Sequence, residues 1–479
     1  MTPDQTAAAS GNASWMLMSA ALVLLMTPAL ALFYGGMSRQ KSAINMMMMS
    51  FGSLGVVGVV YVLWGWSMSY GKESFAGIVA NPLQFFGLRD SLTDAAGNYL
   101  VGDHGYANVI DIAFQVTFAS ITVAIISGSL ANRVKFSTWL TFTMLWVTFS
   151  YFPMAHMVWG GGLLSGKETG LAAMMFGTVK DGADTVAAVA PIDFAGGTVV
   201  HINAGVAGLV LAVIIGRSHG FMESMQRPHN VPLVMLGAAL LWFGWFGFNA
   251  GSGFAADGLA GLAWLNTTAA ACAAMLGWLL AEKLRDGHVT SVGAASGVVA
   301  GLVTITPAAG ALTPLTSLIA GFIGGVLAAI GVGLKYRFRF DDSLDVVGLH
   351  LVAGIWGTLC IGFLAKDSGI LTGGGAGGFK LLAVQAVTAG GAAIYCAIIT
   401  TILGLALKAT MGWRISGDDE IAGIDTSHHG ESAYNYEDST MTVDTGVNAI
   451  PEGAVAASRN KGARGTSRTS EVDDAVDLD

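Results

Sequence analysis

Long apolar runs separated by polar loops occupy most of the chain from residue 14 to residue 411. A helix needs about 20 residues to cross the hydrocarbon core of a bilayer, and eleven runs approach or exceed that length. The runs cover residues 14–37, 43–69, 107–130, 136–155, 193–216, 231–250, 259–282, 291–307, 314–334, 345–365 and 380–411. This pattern predicts an all-α polytopic membrane protein with eleven transmembrane helices.

The composition agrees with a membrane protein. Of the 479 residues, 53% are hydrophobic and 11% are charged, whereas soluble domains carry about 25% charged residues. The net charge of −9 comes mostly from the segment after Trp413, so it does not indicate a nucleic-acid partner. The three cysteines lie in apolar runs without a CxxC spacing. We therefore expect no disulfide framework, no metal cluster and no cofactor.

The first apolar run is either a retained span or a cleaved secretory signal. The segment Pro28–Ala31 offers small residues for cleavage, but a signal requires Lys or Arg before its apolar core. Only Asp4 precedes the run, whereas Arg39 and Lys41 follow it. The charges favour a retained span, with residues 1–13 outside the cell.

Lysine and arginine are concentrated in the segments that follow odd-numbered runs. Because cytoplasmic loops carry an excess of these residues, we expect a cell-membrane protein with its N-terminus outside and its C-terminus in the cytoplasm. The residues concerned are Arg39, Lys41, Arg133, Lys135, Arg217, Arg227, Lys283, Arg285, Lys335, Arg337 and Arg339.

The first ten spans divide into two sets of five. Because each set crosses the membrane an odd number of times, the second set starts on the opposite side from the first, which makes a five-plus-five inverted repeat. The first and sixth spans end in weakly similar segments, residues 33–38 and 246–252. Repeats of this kind place the substrate site at their interface near the middle of the bilayer.

Ionisable side chains interrupt the fifth and tenth runs, which are equivalent members of the two sets. The fifth contains Asp193 and His201, and the tenth contains Asp345 and His350. Such a residue inside a span costs roughly 3 kcal/mol or more and normally faces a cavity or a partner. Because the two spans cross in opposite directions, both histidines can lie at similar depth and meet.

Other interpretations of these residues remain open. Each histidine alone could be a packed, hydrogen-bonded residue, and a zinc or copper site would need a third ligand that the sequence does not supply. Asp345 and His350 point about 140° apart on an α-helix. We therefore expect Asp345 to cap or anchor the start of its helix rather than to contact His350.

Several long motifs make the chain recognisable. They are Phe152-Pro-Met-Ala-His-Met-Val-Trp-Gly-Gly-Gly162, Asp193-Phe-Ala-Gly-Gly-Thr-Val-Val-His-Ile-Asn-Ala204, Trp245-Phe-Gly-Phe-Asn-Ala-Gly-Ser252, Gly301-Leu-Val-Thr-Ile-Thr-Pro-Ala-Ala-Gly310 and Asp345-Val-Val-Gly-Leu-His350. In this order they closely resemble the bacterial ammonium transporter family, with the Rhesus proteins as distant relatives. The resemblance runs from about residue 14 to Tyr436 and implies a homotrimer in which each subunit has its own pore.

The resemblance also implies roles for individual residues. An external site that recruits ammonium would have aromatic walls, a hydroxyl group and a nearby carboxylate, and a stacked aromatic gate and paired imidazoles would follow it. The recruitment residues would be Trp159, Phe118, Ser252, Phe114 and Asp193; the gate would be Phe118 and Phe248; the pore residues would be His201, His350 and Trp245. Whether Asp193 touches the ion or holds the vestibule together is left open by the match.

Physical chemistry fits these roles. Ammonium has four N–H donors and no acceptor, so aromatic faces and one hydroxyl oxygen suit it, and each cation–π contact contributes about 0.5–2 kcal/mol. Such modest affinity permits release. We expect ammonium, and also methylammonium as a candidate, to be recruited outside, with deprotonation there and ammonia passage along the histidines. Separate movement of the proton would make transport electrogenic.

The cytoplasmic part follows the last span. Residues 417–434 resemble the family's regulatory segment, which in relatives packs under the pores of neighbouring subunits and is a target of a PII-type signalling protein. We therefore divide the chain into residues 1–13, a transmembrane domain over residues 14–411, a regulatory segment over residues 412–437 and a tail over residues 438–479 that is predicted to be disordered. An ammonium sensor that signals through this tail is the alternative function. No HExxH or GxSxG motif is present, and we predict that the chain is not an enzyme.

Overall fold

Helices make up nearly all of the regular structure in the computed structural model, which describes residues 3–223 and 227–434. The α-helices are α1 (Pro3–Met37), α2 (Ala43–Val60), α3 (Trp66–Tyr70), α4 (Asn108–Ile126), α5 (Phe136–Trp146), α6 (Phe152–Val158), α7 (Leu171–Phe176), α8 (Asn203–Ile215), α9 (Val231–Gly251), α10 (Gly258–Asp286), α11 (Ser291–Ile305), α12 (Pro314–Gly331), α13 (Leu334–Phe338), α14 (Ala353–Leu364), α15 (Gly375–Thr410) and α16 (Gly417–Ala422). The tail predicted over residues 438–479 lies outside the described residues.

Shorter elements join or extend these helices. The π-helical turns are Tyr61–Gly65, Val147–Tyr151, Gly197–Ile202, Val347–Val352 and Asp425–His429, and the 3-10 turns are Gln40–Ser42, Phe86–Leu88, Ser127–Leu130 and Thr306–Ala308. Two short antiparallel hairpins lie in loops: β1 (Ser74–Phe75) pairs with β2 (Val79–Ala80), and β3 (Thr178–Asp181) pairs with β4 (Asp184–Ala187). The sequence pattern did not predict these hairpins.

Ten helical segments of the described residues are long and apolar enough to cross a membrane. They coincide with ten of the eleven predicted spans, which makes the chain a polytopic membrane protein. The remaining predicted span, residues 136–155, is helical from Phe136 to Val158 through α5, a π turn and α6. Its threonine, tryptophan and tyrosine residues lower its mean hydropathy. The count of eleven spans therefore stays a prediction.

The first helix is longer than its predicted span. It begins at Pro3, whereas the apolar run begins near residue 14, and its 35 residues correspond to a length of about 52 Å. Alanines at residues 7–9 favour helix and extend α1 beyond the apolar run. The Asn12 side chain accepts a hydrogen bond from the Ala256 amide at 3.0 Å, so the extension contacts the loop between α9 and α10.

Helices α1 and α9 pack closely because α9 carries glycine at the contact. A Cβ atom added to Gly237 would lie 2.4 Å from the Phe33 backbone nitrogen, and one added to Gly244 would lie 2.4 Å from Met26 Cγ. Larger residues at these two positions would push the helices apart. This close approach brings Met26 and Phe33 of α1 and Trp245 of α9 to the same narrow cavity.

The segment after α15 folds back onto the end of the bundle. The Asp425 carboxylate accepts hydrogen bonds from the amides of Ile44 and Asn45 at 3.0 and 2.8 Å, at the start of α2. His429 Nε2 and Asn45 Oδ1 are 2.9 Å apart. Arg414 donates to Glu420 at 2.6 Å, and Glu420 is buried. Residues 414–429 are thus fixed by specific polar contacts rather than trailing away from the helices.

Candidate functional site

The two histidines singled out in the fifth and tenth runs lie side by side. His201 and His350 approach to 3.2 Å between their Nδ1 atoms, and their ring centroids are 5.3 Å apart with an angle of 27° between the planes. The two side chains are 1% and 3% exposed. Because one Nδ1 must donate to the other, the pair can exist as two neutral rings with opposite tautomers.

Both histidines stand on π-helical turns, which the sequence analysis did not anticipate. His201 lies in Gly197–Ile202 and His350 in Val347–Val352, and each turn leads directly into an α-helix, α8 and α14. A π turn carries one more residue than an α turn and re-aims the side chains that follow. The two histidines therefore share the same local backbone geometry.

Asp193 caps the turn that carries His201. Its carboxylate accepts hydrogen bonds from the amides of Gly196, Gly197, Thr198 and Val199 and from the Thr198 hydroxyl. The first amides of a helix lack partners within the helix, so this carboxylate supplies them. Gly196 has φ 113°, a left-handed conformation that favours glycine. Asp193 therefore positions the helix start.

A different aspartate performs the same task for His350. Asp342 accepts hydrogen bonds from the amides of Val346 and Val347 at 3.1 and 2.7 Å and from the Ser129 hydroxyl at 2.7 Å. Burial raises the pKa of Asp342 to about 6, against the opposing charge of Lys335. The cap of this helix is thus the buried carboxylate of Asp342, which lies outside the spans.

This geometry selects one of the two roles expected for Asp345. Its carboxylate accepts a hydrogen bond from the Lys335 ammonium at 2.6 Å and forms an ion pair with it. The first amides of the helix donate instead to Asp342. Asp345 also has φ 66°, so its backbone lies outside helical geometry. Asp345 therefore anchors the helix start through Lys335, which is one of the two expected roles. The cap is Asp342, three residues earlier.

The histidines border a narrow cavity with mostly apolar walls. Its volume is only about 10 Å³. His201 Nε2 has no hydrogen-bond partner among the described residues. The Trp245 ring stacks on His201 at 5.5 Å and 19°, while its Nε1 donates to Thr306 at 2.9 Å. The other lining residues are Met26, Leu30, Phe33, Ile121, Ile125, Val200, Leu241, Phe248, Val299 and His350.

Two stacked phenyl rings close one end of this cavity. Phe118 and Phe248 have centroids 4.2 Å apart with planes 22° from parallel, and both are buried. Phe248 borders the cavity with the histidines and lies 6.0 Å from His201 between ring centroids. Phe118 borders the open space on the other side. The pair therefore separates solvent from the imidazoles.

That open space is a vestibule of about 1320 Å³. Trp159, Phe118 and Ser252 all border it. Trp159 meets Phe118 edge-on at 6.1 Å, and its Nε1 donates to the Asp193 carbonyl at 2.9 Å, which fixes the indole. The Ser252 hydroxyl donates to the Phe248 carbonyl at 2.8 Å, so its lone pairs stay available to accept from a ligand.

Two of the predicted recruitment residues do not border the vestibule. Phe114 is fully buried and packs edge-on against Phe118 at 4.8 Å, so it supports that ring from behind. The Asp193 side chain is engaged in capping. Residues that sequence reasoning missed do border the vestibule: Asp111, Gln115, His104 and Phe254. Asp111 and Gln115 share the helix face of Phe118 by their spacing, a signal that could have found them.

Among the described residues, no group of three or more His, Cys, Asp or Glu side chains is arranged to hold a metal ion. The arrangement of vestibule, phenyl pair and imidazole pair instead provides aromatic faces and a hydroxyl at the mouth, then a narrow, mostly apolar cavity with two hydrogen-bonding rings. Such a series can hold a small cation loosely and pass a small neutral hydrogen-bonding molecule.

Comparisons with known proteins agree along the whole bundle. An ammonium transporter of Mycobacterium tuberculosis (strain H37Rv) is 48% identical over 446 residues, covering 89% of this chain and 90% of the relative. One from Aquifex aeolicus is 45% identical over 436 residues, covering 89% of this chain and 94% of the relative.

Solved structures share the fold. A sensor Amt protein matches with a TM-score of 0.77 at 27% identity over 88% of this chain and 99% of its own, and Candida albicans Mep2 matches with 0.73 at 28% over 86% and 87%. The sequence model of the Ammonium Transporter Family matches residues 14–434. This chain therefore belongs to the Ammonium Transporter Family.

Proposed function

We propose that this chain is an ammonium transporter that conducts ammonia past His201 and His350 after releasing the proton of ammonium at an external aromatic site. The observation that carries the proposal is the order of the parts: vestibule, phenyl pair, then imidazole pair in an apolar cavity. The curated relatives are named ammonium transporters, which supports the substrate. We take the vestibule to face outward.

Recruitment rests on Trp159, Phe118 and Ser252. The indole and phenyl faces attract a cation through their quadrupoles, each contact contributing about 0.5–2 kcal/mol, and the Ser252 oxygen accepts one N–H. Potassium shares the charge but brings no hydrogen-bond donor. It therefore gains the aromatic contacts and lacks the directional bond to Ser252.

Selectivity arises below this site. Moving a bare charge between Phe118 and Phe248 into an apolar cavity costs several kcal/mol or more, whereas ammonia carries no charge. Inside, the imidazole nitrogens of His201 and His350 replace the hydrogen bonds that ammonia leaves behind in water. The proton crosses separately over the imidazole pair or bound water, which makes uptake electrogenic. Assembly as a homotrimer of eleven-span subunits, with the N-terminus outside, completes the proposal.

The test uses the full-length protein in liposomes on a solid-supported membrane. We expect ammonium chloride pulses to evoke a current and to change internal pH, and potassium chloride pulses to evoke neither. Empty liposomes are the control. Absence of both current and pH change for ammonium would overturn the proposal, while a pH change without current would overturn the electrogenic step alone.

The contacts of residues 414–429 with the helix bundle support a regulatory role for residues 412–437. A trimeric PII-type protein that binds this surface could block the exits of the pores, as the family resemblance implies. An ammonium sensor is the second candidate function, favoured by the likeness to a sensor Amt protein. Ammonium signalling that persists in a variant without transport would favour the sensor.

Replacing Asp425 with alanine should release residues 417–430 from the helix bundle. The change leaves the amides of Ile44 and Asn45 without their carboxylate acceptor, and loss of such a cap costs about 0.5–2 kcal/mol. We expect amide exchange in residues 417–430 to accelerate about tenfold in hydrogen-exchange mass spectrometry. The exposed Asp418 provides the matched control in Asp418→Ala. Equal amide exchange in the two variants would show that Asp425 does not fix residues 417–430.

A further inference from the structure

We infer that Asp111, Gln115 and Tyr70 form a second cation site in the vestibule wall, which holds ammonium before it reaches Trp159 and Phe118. The inference deepens the proposed function and rests on it for the identity of the cation. Residues 111, 115 and 118 of α4 are spaced by four and three positions and so share one helix face. Asp111 lies about 10 Å farther along α4 than Phe118, toward the open end of the vestibule.

Asp111 is an acceptor that is only partly used. Its side chain borders the vestibule although the residue is only 7% exposed. The Tyr106 hydroxyl donates to Oδ1 at 2.7 Å. The second oxygen, Oδ2, receives no hydrogen bond from the residues that the structure describes. A carboxylate removed from water needs more than one donor, and a cation with N–H groups would supply them.

Two further residues that border the same space carry buried oxygen atoms without hydrogen-bond partners among the described residues. Gln115 is 8% exposed, and its Oε1 forms no hydrogen bond with the described residues. The buried hydroxyl of Tyr70 likewise has no partner among them. Both residues border the vestibule.

The set of oxygen ligands favours a small monovalent cation over a divalent ion. One carboxylate, one amide oxygen and one phenol oxygen provide a single full negative charge, whereas calcium prefers six to eight oxygen ligands with several carboxylates. Trp66 stacks on Tyr70 at 4.7 Å and also borders the vestibule, so an aromatic face lies beside the oxygens. This combination suits ammonium and methylammonium.

The surroundings favour entry of cations. The vestibule lining contains five carboxylates, Asp90, Asp103, Asp111, Glu168 and Asp181, against two lysines, Lys72 and Lys167. A cleft with one dominant sign of charge raises the local concentration of the opposite ion. An ion held at Asp111 would be about two helical turns from the phenyl gate, so the site would keep the mouth supplied at low ammonium concentration.

Asp111→Asn tests the site, because it removes the charge and keeps the side-chain size. In liposomes at low ionic strength we expect the ammonium concentration for half-maximal current to rise about fivefold, with maximal current unchanged. Choline chloride should raise the half-maximal concentration of the parent protein and have little effect on the variant. Asp103→Asn is the matched control, because Asp103 is exposed, borders the same vestibule and loses the same charge.

The outcomes separate a specific site from a general field. Equal shifts in Asp111→Asn and Asp103→Asn, or no shift in either, would overturn the inference. Tyr106→Phe, which removes only the supporting hydrogen bond, should shift the half-maximal concentration less than Asp111→Asn does. A parent protein that carries no current would instead overturn the proposed function.

A structural measurement tests the site independently of transport. Crystals of the full chain soaked in thallium(I) acetate should show anomalous density between Asp111, Gln115 and Tyr70, since thallium(I) is a monovalent cation that binds oxygen ligands and aromatic faces. The density should disappear in Asp111→Asn. Density at Trp159 alone, with none at Asp111 in the parent protein, would overturn the inference whether or not the protein transports ammonium.

Discussion

Asp193→Ala should destabilise the protein and abolish ammonium-evoked current. The substitution leaves four backbone amides and the Thr198 hydroxyl without their common acceptor, and each buried donor without a partner costs about 1–3 kcal/mol before the structure relaxes. We expect a net loss of about 3 kcal/mol or more. The turn that carries His201 would shift, and the Trp159 indole would lose the fixed carbonyl to which it donates.

The measurements are the thermal-unfolding midpoint of the purified protein in detergent and the current in liposomes. Asp193→Asn retains one acceptor oxygen and should lie between the parent and the alanine variant in both. Asp181→Ala is the control, because it removes an exposed aspartate that borders the same vestibule. If Asp193→Ala and Asp181→Ala unfold at the same temperature, Asp193 does not hold the helix start.

His201→Leu should reduce ammonium-evoked current by at least about tenfold and lower stability less than Asp193→Ala does. Leucine fills the cavity with hydrocarbon and removes the nitrogen that faces His350, so ammonia loses hydrogen bonds in the apolar part of its path. The buried Nε2 without a partner disappears as well, whereas His350 Nδ1 loses its partner. Because these two effects oppose each other, we expect the unfolding midpoint to fall less than in Asp193→Ala. This separation of activity from stability distinguishes the variant from Asp193→Ala.

Met26→Leu is the matched control for the imidazole substitution, since Met26 borders the same cavity and leucine keeps that position apolar. The reciprocal variant His350→Leu should behave like His201→Leu, and the double variant should lose little more, because the pair acts as a unit. Current that persists at the parent level in His201→Leu would exclude the imidazole pair from the pathway.

The sequence was informative where a strong physical constraint applied. A span needs about 20 apolar residues, so ten helices could be located, and the cost of burying His201 and His350 marked them as a pair. Residues with aromatic side chains gave no such signal: Phe118 and Phe248 are indistinguishable from packing residues by pattern, and only the family resemblance selected them.

The remaining features depend on geometry that spacing does not encode. The π turns change the direction of both histidines without a sequence signature, and Asp342 replaces Asp345 as the cap because the backbone turns at Asp345. Asp111 and Gln115 lie at the end of a span next to a long loop, so their exposure to the vestibule depends on how residues 71–107 fold. Loop conformation is the part of such a protein that hydropathy cannot predict.

The two caps of the histidine turns lie at opposite ends of the bundle. Asp193 is joined to Trp159 at the vestibule, while Asp342 is joined to Ser129, beyond the far end of α4. Each ring is therefore positioned from a different end of the bundle. The 3.2 Å distance between the two Nδ1 atoms depends on both caps. A substitution in either set of loops can consequently change the width of the cavity between the histidines. Permeation can then change in evolution even when every residue that lines the cavity stays the same.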